Sequence, residues 1–361
     1  MSLSKPIRVA LIDDSALVRR ELRRAISAEP DMEVAGVAGD GESGLALIAR
    51  TRPDLLVLDL EMGEVSGLDV LGVLRGEYPE LPVIVFSALT KRGAVQTVDA
   101  ITAGARDYLT KPSSLSDGHS AKDVMLHLIT KIRALVRDAH VAGERLPGVR
   151  PTRNQVQRRK RTQPQALFVG GSTGAPEALA KLLPQLPQSF PVPIVIAIHM
   201  PAAFTGQLAD SLDRRSALRV RESVSGEPLK PGTVWLAAGG HHLTVGRAMG
   251  EGVASLDMND SPPVNHCRPS VDVLFSSAAD LFGSRMVAVV LTGMGNDGLQ
   301  GAAEIAARGG IVLTQDRASS TVWGMPGAVT ESGLADEIVP LDDMATRVQL
   351  LCGRSSSGTN R

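Results

Sequence analysis

The first 137 residues alternate between short apolar runs and longer segments whose apolar positions recur at helical spacing. A short apolar run bounded by polar residues is typical of a buried strand, and recurrence every three to four residues is typical of an amphipathic helix. Strands are predicted at 7–12, 33–37, 55–60, 83–86 and 106–109, and a last helix near 121–136. These repeated units predict a doubly wound parallel sheet with flavodoxin-like strand order.

The same alternation resumes after residue 165 and continues almost to the end of the chain. Strands are predicted at 166–169, 194–198, 234–237, 286–291, 311–314 and 337–339. Helices are predicted at 175–183, 204–214, 270–281, 298–307 and 342–351. Strands that alternate with helices favour a parallel sheet covered on both faces. The chain is therefore predicted to be an α/β protein in which a second, Rossmann-like doubly wound domain follows the first.

The periodicity stops between the two halves. Pro147, Gly148 and Pro151 interrupt the chain there, and the segment is rich in arginine, with no acidic residue after Glu144. This composition is typical of an interdomain linker, and no aromatic residues interleave with the basic ones as they do in single-stranded nucleic-acid sites. The predicted organisation is a first domain at 7–137, a basic flexible linker at 138–164, a second domain at 165–352 and a disordered tail at 353–361.

Composition and charge narrow the class of protein. The 361 residues include 38 Lys and Arg against 39 Asp and Glu, so the net charge favours neither nucleic acid nor a membrane surface as a partner. The two cysteines, Cys267 and Cys352, lack the spacing of a zinc site and fit a reducing compartment. No run reaches the ~18 apolar residues of a membrane span, and the N-terminus lacks a signal-peptide pattern. We expect a cytoplasmic protein without direct membrane insertion.

A glycine-rich turn follows the first strand of the second half. Ser172 lies in Gly-Gly-Ser-Thr-Gly at 170–174, directly before a predicted helix. The glycines allow a sharp turn that exposes the serine hydroxyl, and the helix start offers unpaired N–H groups with a partial positive charge. These features suit an oxyanion as well as a phosphate. The turn by itself is compatible with a nucleophile, a phosphate cradle or a plain turn.

Two further strands of the second half end in residues that can assist a serine. His199 follows the strand at 194–198, and Asp297 lies in a glycine-rich turn after the strand at 286–291. Each residue alone is more often structural, but the carboxyl ends of parallel strands share one edge of a sheet. A hydroxyl, an imidazole and a carboxylate on that edge form the set that hydrolysis requires. The order Ser–His–Asp along the chain argues against descent from the α/β-hydrolases.

Four ordered motifs of the second half resemble the protein-glutamate methylesterases of bacterial chemotaxis. They are the turn at 170–174, His-Met-Pro at 199–201, Arg-Pro-Ser-Val-Asp-Val-Leu-Phe at 268–275 and Leu-Thr-Gly-Met-Gly-Asn-Asp-Gly at 291–298. The resemblance implies a serine esterase without a cofactor that releases methanol from glutamate γ-methyl esters on the cytoplasmic domains of chemoreceptors. It also implies that some relatives deamidate glutamine there.

The catalytic roles are then predicted residue by residue. Ser172 is expected to attack the ester, His199 to act as general base and then acid, and Asp297 to orient the imidazole. Support for the turn and the oxyanion is expected from residues beside the nucleophile and, by family analogy, in the loop that carries the aspartate. These supporting residues are Gly171, Thr173 and Met294.

Charged residues also stand at the strand ends of the first half. Asp13 and Asp14 follow the first predicted strand, and Asp59 closes the third, which is its neighbour in flavodoxin-like order. Three converging carboxylates favour a hard cation such as Mg²⁺. Asp59 is then the predicted phosphoryl acceptor, and Ser87 and Lys111 are predicted to contact the phosphoryl oxygens. The alternative is that these acidic residues only cap the following helices.

The acidic pattern, with Gly104 and Tyr108 preceding Lys111, resembles the receiver domain of response regulators. The resemblance implies phosphorylation by a histidine kinase of the chemotaxis type and a cis bond between Lys111 and Pro112. It also implies that the receiver covers the esterase cleft until Asp59 is phosphorylated.

The loop after the predicted phosphoacceptor departs from the receiver pattern. Receivers usually carry proline after the methionine that corresponds to Met62, whereas this chain has Gly63. Glycine leaves the loop more conformational freedom than proline would. We therefore expect a less rigid loop and an altered lifetime of the acyl phosphate, although Gly67 is kept.

Two other classes of protein fit parts of the sequence. A response regulator that binds DNA would need a basic recognition helix, which the second half lacks. A nucleotide-binding enzyme that uses the turn at 170–174 would need the Lys-Ser/Thr pair of a P-loop or an acid for the ribose, and neither is evident.

Three further histidines and one cysteine are weaker candidates for the site. The His241-His242 pair is predicted to be a solvent-facing turn, with a place along the cleft as the alternative. His266 is an equally weak candidate for the site. Cys267 is expected to lack the neighbouring base that a thiol nucleophile needs.

Overall fold

The chain folds as two units, Met1–Glu144 and Arg145–Arg361. The computed structural model describes residues 5–88, 90–111, 118–142, 162–247 and 254–353. The predictions of a cis bond at Pro112 and of a disordered tail fall outside these residues, as does most of the predicted linker. Among the described helices, none is long and apolar enough to cross a membrane.

The first unit is a five-stranded parallel sheet with the order β2-β1-β3-β4-β5. Its strands are β1 (Ile7–Ile12), β2 (Met32–Ala38), β3 (Leu55–Leu58), β4 (Val83–Ser87) and β5 (Asp107–Thr110). Its helices are α1 (Ala16–Ser27), α2 (Gly41–Thr51), α3 (Gly67–Glu77), α4 (Lys91–Thr102) and α5 (Gly118–Ala142). The predicted flavodoxin-like fold is confirmed, and β1 lies at the point where the strand order reverses.

Polar side chains at the strand-to-helix turns determine where the first four helices begin. The side chains of Ser15, Asp40, Ser66 and Thr90 each accept a backbone N–H from the first turn of the following helix. At α3 the cap is reciprocal, because Asp69 also accepts the N–H of Ser66. These bonds satisfy donors that a helix start leaves free, so the turns can remain short.

Nine strands are described in the second unit. They are β6 (Ala166–Gly171), β7 (Ile194–Ile198), β8 (Arg219–Glu222), β9 (Thr233–Leu236), β10 (His242–Arg247), β11 (Ala254–Asn259), β12 (Met286–Val290), β13 (Ile311–Gln315) and β14 (Glu337–Val339). Seven of them form one parallel sheet with the order β14-β13-β12-β6-β7-β9-β8. The predicted second doubly wound sheet is therefore present.

Six α-helices are described in the second unit. They are α6 (Ala175–Leu182), α7 (Ala202–Arg215), α8 (Val271–Phe282), α9 (Leu299–Ala307), α10 (Met325–Glu331) and α11 (Leu341–Cys352). A 3₁₀ turn, Leu183–Gln185, extends α6. The antiparallel hairpin of β10 and β11 packs on α8.

The sequence patterns missed β8, the β10–β11 hairpin and α10. In β8 the side chain of Val220 is buried between exposed Arg219 and Arg221, so an edge strand has little apolar signal. Strands β10 and β11 form a separate two-stranded sheet, and α10 spans only seven residues. Their stability comes from packing on neighbouring elements rather than from local propensity.

The ends of the predicted linker belong to the adjacent elements. Helix α5 continues to Ala142, beyond the predicted domain end at residue 137. On the other side, the Thr162 hydroxyl donates to the Ser284 carbonyl oxygen at 2.8 Å, and the Gln163 amide donates to the Cys352 carbonyl oxygen at 2.9 Å. Residues 162 and 163 are thus hydrogen-bonded to the folded part of the second unit.

Strand β6 is the central strand of the second sheet because its pairs with β7 and β12 lie on opposite sides. Gly170, near its end, has no room for a side chain, since a Cβ there would lie 2.2 Å from Cγ1 of Val271. The close approach lets α8 lie against the strand. The strand order reverses at β6, which is where such sheets form their crevice.

Two glycines of α3 are expected to respond oppositely to alanine. Gly72 is exposed within the helix and a Cβ would meet nothing within 4 Å, so Gly72→Ala should raise the free energy of unfolding by about 0.5–1 kcal/mol. At Gly67 a Cβ would lie 2.1 Å from the Asp59 carbonyl oxygen, so Gly67→Ala should be destabilising. Urea unfolding of both variants measures the difference, and equal effects would contradict it.

Candidate active site

Ser172 lies on the turn between β6 and α6. Its N–H donates to the Thr292 carbonyl oxygen at 3.0 Å, and its carbonyl oxygen accepts the Ala175 N–H at 2.9 Å. Gly174 precedes the helix with φ of 79°, a left-handed conformation that glycine adopts without strain. The strand, turn and helix therefore hold a half-buried serine at the central strand of the sheet.

The loop after β12 contacts this turn directly. A Cβ on Gly293 would lie 2.9 Å from the Ser172 nitrogen and 3.0 Å from its Cβ. The Thr292 hydroxyl donates to the Thr173 carbonyl oxygen at 2.9 Å. Only glycine at position 293 allows the loop to lie this close to Ser172. The next residue, Met294, is half-buried.

His199 follows β7, the neighbour of β6. Ile198 pairs with Gly171 across the two strands, and the His199 N–H donates to the Gly171 carbonyl oxygen at 3.4 Å. The imidazole Nε2 lies 2.7 Å from Oδ2 of Asp297. Because an ionised carboxylate can only accept, Nε2 carries the proton of this bond, and Nδ1 is left as the second polar atom of the ring.

Asp297 is 2% exposed and accepts hydrogen bonds on both oxygens. The donors are His199 Nε2 and the Val271 N–H to Oδ2, and the Ser270 hydroxyl, the Asp272 N–H and the Asn265 amide to Oδ1, at 2.6–3.1 Å. Two of them are the first N–H groups of α8, whose N-cap Ser270 makes no side-chain cap of its own. Asp297 thus caps α8 from another part of the chain, and the partial positive charge of the helix start stabilises the carboxylate.

The pKa values of the pair follow from these contacts. Burial alone would raise the pKa of Asp297, but the His199 imidazole and the α8 N–H groups hold it below its usual range. Burial alone would lower the pKa of His199, but hydrogen bonds that the imidazole donates to Asp297 and to Cys267 outweigh burial and raise the pKa to about 9. The pair therefore favours a carboxylate beside an imidazolium, the charge state that forms when a histidine accepts a proton from a nucleophile.

A second polar cluster lies at the reversal point of the first sheet. Asp13 and Asp14 follow β1, and Asp59 follows β3. Their carboxylates each offer an oxygen, and these oxygens lie within 4.8 Å of one another. The Lys111 ammonium lies 2.8 Å from Asp13 Oδ2 and 2.7 Å from Asp59 Oδ2. The structure thus brings the predicted metal ligands and one predicted phosphoryl contact together.

The charges of this cluster are only partly balanced. Burial raises the pKa of Asp59 to about 6 although Lys111 opposes the shift. The Lys111 ammonium is the ion-pair partner of both Asp13 Oδ2 and Asp59 Oδ2, so a single positive charge is shared by two carboxylates of a three-carboxylate cluster. A hard divalent cation prefers such carboxylate oxygens, so the residues present fit Mg²⁺.

Ser87 closes β4 on the same edge and is fully buried. Its carbonyl oxygen accepts the Lys111 N–H at 2.8 Å, and its hydroxyl donates to the Gly93 carbonyl oxygen at 3.4 Å. This hydroxyl bond is long, so it is weak enough to exchange for a better acceptor.

Comparison with known proteins agrees with the two folds. Residues 167–348 match the family model of the CheB methylesterase, and residues 9–122 match that of the response regulator receiver domain. A protein of Trichodesmium erythraeum named protein-glutamate methylesterase/protein-glutamine glutaminase is 43% identical over 348 residues, which cover 94% of this chain and 97% of that protein. The chain belongs to the CheB methylesterase family.

A second relative and a solved structure also support membership of the CheB methylesterase family. A Nocardioides protein with the same name is 43% identical over 95% of this chain and 94% of its own. The crystal structure of the Thermotoga maritima CheB methylesterase catalytic domain is 38% identical, with a TM-score of 0.51, and matches 53% of this chain and all of that domain. The receiver domain and the methylesterase domain are thus both present in one chain.

Two residues of the methylesterase domain that the sequence patterns missed are Asp272 and Asn265. Asp272 is 7% exposed, and its Oδ1 accepts the Gly301 N–H of α9 at 2.8 Å. Asp297 stands just before α9 and caps α8, while Asp272 stands in α8 and caps α9, so the two helices cap each other. Asp272 lies within the Arg-Pro-Ser-Val-Asp motif, but no local pattern shows that its partner is another helix.

Two of the weaker predictions were wrong. His242 is fully buried in β10, where Nδ1 accepts the Ser270 N–H at 3.3 Å and Nε2 donates to the Pro262 carbonyl oxygen at 3.1 Å, so it faces neither solvent nor the cleft. Cys267 is not without a base, because its sulfur lies within hydrogen-bonding contact of His199. The spacing of 68 residues between Cys267 and His199 hid this contact from the sequence.

The raised pKa of His199 can be measured directly. In NMR titration, the imidazole of the wild-type protein should titrate near pH 9, and Asp297→Asn should move the transition down toward the ordinary value of ~6.5. Since the folded-state pKa is raised, the pair stabilises the fold fully below pH ~6.5, and this contribution is lost as pH rises through 9. A wild-type transition near 6.5 would contradict the assignment.

Proposed function

We propose that this chain is a protein-glutamate methylesterase in which Ser172 is the nucleophile, His199 the general base and Asp297 its orienting carboxylate. The observation that carries the proposal is the 2.7 Å bond between His199 and Asp297 at the end of the strand that neighbours the Ser172 turn. The relatives at 43% identity bear the name of this activity.

The reaction follows from the positions of these three side chains. The Ser172 hydroxyl adds to the ester carbonyl carbon and passes its proton to the neutral form of His199, whose Nδ1 is the nitrogen not bonded to Asp297. Because the pKa of His199 is raised to about 9, the fraction of this neutral form increases as the pH rises toward that value. The tetrahedral intermediate collapses, methanol leaves with that proton, and an acyl-serine remains. Water then adds to the acyl carbon with His199 as base, and glutamate is released with free Ser172.

Backbone groups beside Ser172 are proposed to hold the oxyanion. The Thr173 N–H lies in the turn before α6, and Met294 directly follows Gly293, which lies against Ser172. Gly171 supports the turn, since a Cβ there would lie 2.6 Å from that of Ala175. One oxyanion donor typically contributes about 3–4 kcal/mol to transition-state stabilisation.

The same site is proposed to act on glutamine side chains. Their carboxamide gives the same acyl-serine, but the departing ammonia must be protonated as it leaves. A His199 pKa of about 9 keeps a proton available for this step. The relatives' printed names include protein-glutamine glutaminase.

The receiver domain is proposed to regulate the esterase by phosphorylation of Asp59. Asp13, Asp14 and Asp59 would hold Mg²⁺, which neutralises the charge of the incoming phosphoryl group, while Ser87 and Lys111 contact its oxygens. The phosphate would come from a histidine kinase of the chemotaxis type, and the substrates would be methylated cytoplasmic domains of chemoreceptors. A cytoplasmic location, with domains at 7–137 and 165–352 joined by a basic linker, fits this role.

The nucleophile can be identified by two substitutions. Ser172→Ala should reduce methanol release from methylated receptor fragments by about 10⁴-fold or more, because no other group replaces the attacking oxygen. Cys267→Ala should retain the rate within about tenfold, since this thiol contacts His199 but is not the nucleophile. The reverse pattern would assign the chemistry to Cys267.

Phosphorylation should act through Asp59 alone. Acetyl phosphate with Mg²⁺ should raise methanol release by the wild-type protein, and Asp59→Asn should abolish the increase while keeping the basal rate, because a carboxamide cannot form the acyl phosphate. Chelation of Mg²⁺ before the phosphodonor is added should have the same effect. Activation of the Asp59→Asn variant would exclude this residue as the acceptor.

A further inference from the structure

Asn265 lies at the tip of a tight turn beside the active site. Val264 and Cys267 exchange backbone hydrogen bonds of 3.1 and 2.9 Å, and the two residues between them, Asn265 and His266, have φ of 53° and 62°. Two central residues with positive φ are typical of a type I′ turn. Asparagine tolerates this conformation better than most residues, so the backbone supplies one reason for its presence.

The side chain of Asn265 makes contacts that the turn itself does not require. Its Nδ2 lies 2.8 Å from Asp272 Oδ2 and 2.9 Å from Asp297 Oδ1. An amide nitrogen carries two hydrogens, so each carboxylate receives one. Asn265 is exposed, whereas both aspartates are buried. The side chain of a surface residue is therefore hydrogen-bonded to two buried carboxylates.

The acidic pair needs such a donor on electrostatic grounds. Two buried carboxylates that share a neighbour repel each other, and burial together with the Asp297 charge raises the pKa of Asp272. A lysine between them would balance the charge, but it would also weaken the attraction of Asp297 for the His199 imidazolium. A neutral amide supplies hydrogen bonds to both carboxylates and leaves the charge of Asp297 available to His199.

We propose that Asn265 is a positioning residue for the esterase reaction, whose amide holds the Asp297 carboxylate in the orientation that His199 requires. The proposal rests on the esterase function proposed above. Ser270 and the α8 N–H groups hold the same carboxylate, so loss of the amide weakens catalysis without abolishing it.

Three substitutions in the full-length protein separate the effect of losing the Asn265 amide from the effect of changing the turn. Asn265→Gly keeps a residue that accepts positive φ and removes the amide. His266→Gly makes the same change at the neighbouring turn position and leaves the amide in place. Asn265→Asp keeps the size and turn preference of the side chain but replaces both donors by a third carboxylate beside Asp272 and Asp297.

Steady-state methanol release should distinguish these variants. Asn265→Gly is expected to lower kcat by about 10- to 100-fold with KM within about twofold, because a bond to a charged group is lost away from the substrate. His266→Gly should stay within about twofold of the wild type. Asn265→Asp should lower kcat further and move the alkaline rise of the pH profile upward, since a negative charge is added near His199, Asp272, Asp297 and Cys267.

The outcomes are separable from a failure of the esterase assignment. Full activity of Ser172→Ala would reject the assignment together with the role of Asn265. An inactive Ser172→Ala combined with equal kcat values for Asn265→Gly and His266→Gly would reject only the role of the amide. A loss in Asn265→Gly that appears in KM rather than kcat would also overturn it, because the residue would then contact substrate.

Discussion

The second domain depends on one buried carboxylate, that of Asp297, which sits at the start of a helix to which it does not belong. Two N–H groups of α8, the Ser270 hydroxyl, the Asn265 amide and the His199 imidazole all converge on its two oxygens. A buried charge is tolerated only when it is hydrogen-bonded, and here the donors come from three places in the chain, at residues 199, 265 and 270–272. The same carboxylate therefore holds the start of α8 and the His199 imidazole.

The reciprocal cap between α8 and α9 holds the starts of the two helices together. Asp297 satisfies donors at the start of α8, and Asp272 satisfies the Gly301 N–H in the first turn of α9. Each helix start supplies the partial positive charge that its partner's carboxylate needs. Close glycine contacts at Gly170 and Gly301 bring α8 against β6 and α9. The position of the Asp297 carboxylate is thus a consequence of how these two helices pack.

The two domains stabilise buried acid in different ways. In the methylesterase domain, the His199 imidazole, helix N–H groups and neutral side chains contact Asp297, and its pKa is lowered although burial opposes the shift. In the receiver domain, Asp59 has Lys111 as its cationic neighbour, and burial raises its pKa to about 6. The first arrangement fixes a charge permanently, whereas the second leaves acidic oxygens that a cation can still bind. This difference matches a carboxylate that only orients a base and one that is modified.

The sequence alone determined the two sheets and the five acidic, basic and hydroxyl residues at the first sheet's edge, because strand periodicity and the flavodoxin-like strand order place those residues together. It also placed Ser172, His199 and Asp297 at strand ends. It did not reveal Asn265 or Asp272, the buried state of His242 or the contact between Cys267 and His199, since each depends on a partner from a distant segment. The local sequence pattern determines which helices and strands form. Which donor bonds to a buried carboxylate is decided by tertiary packing, because it depends on distances between elements that cannot be read from the sequence.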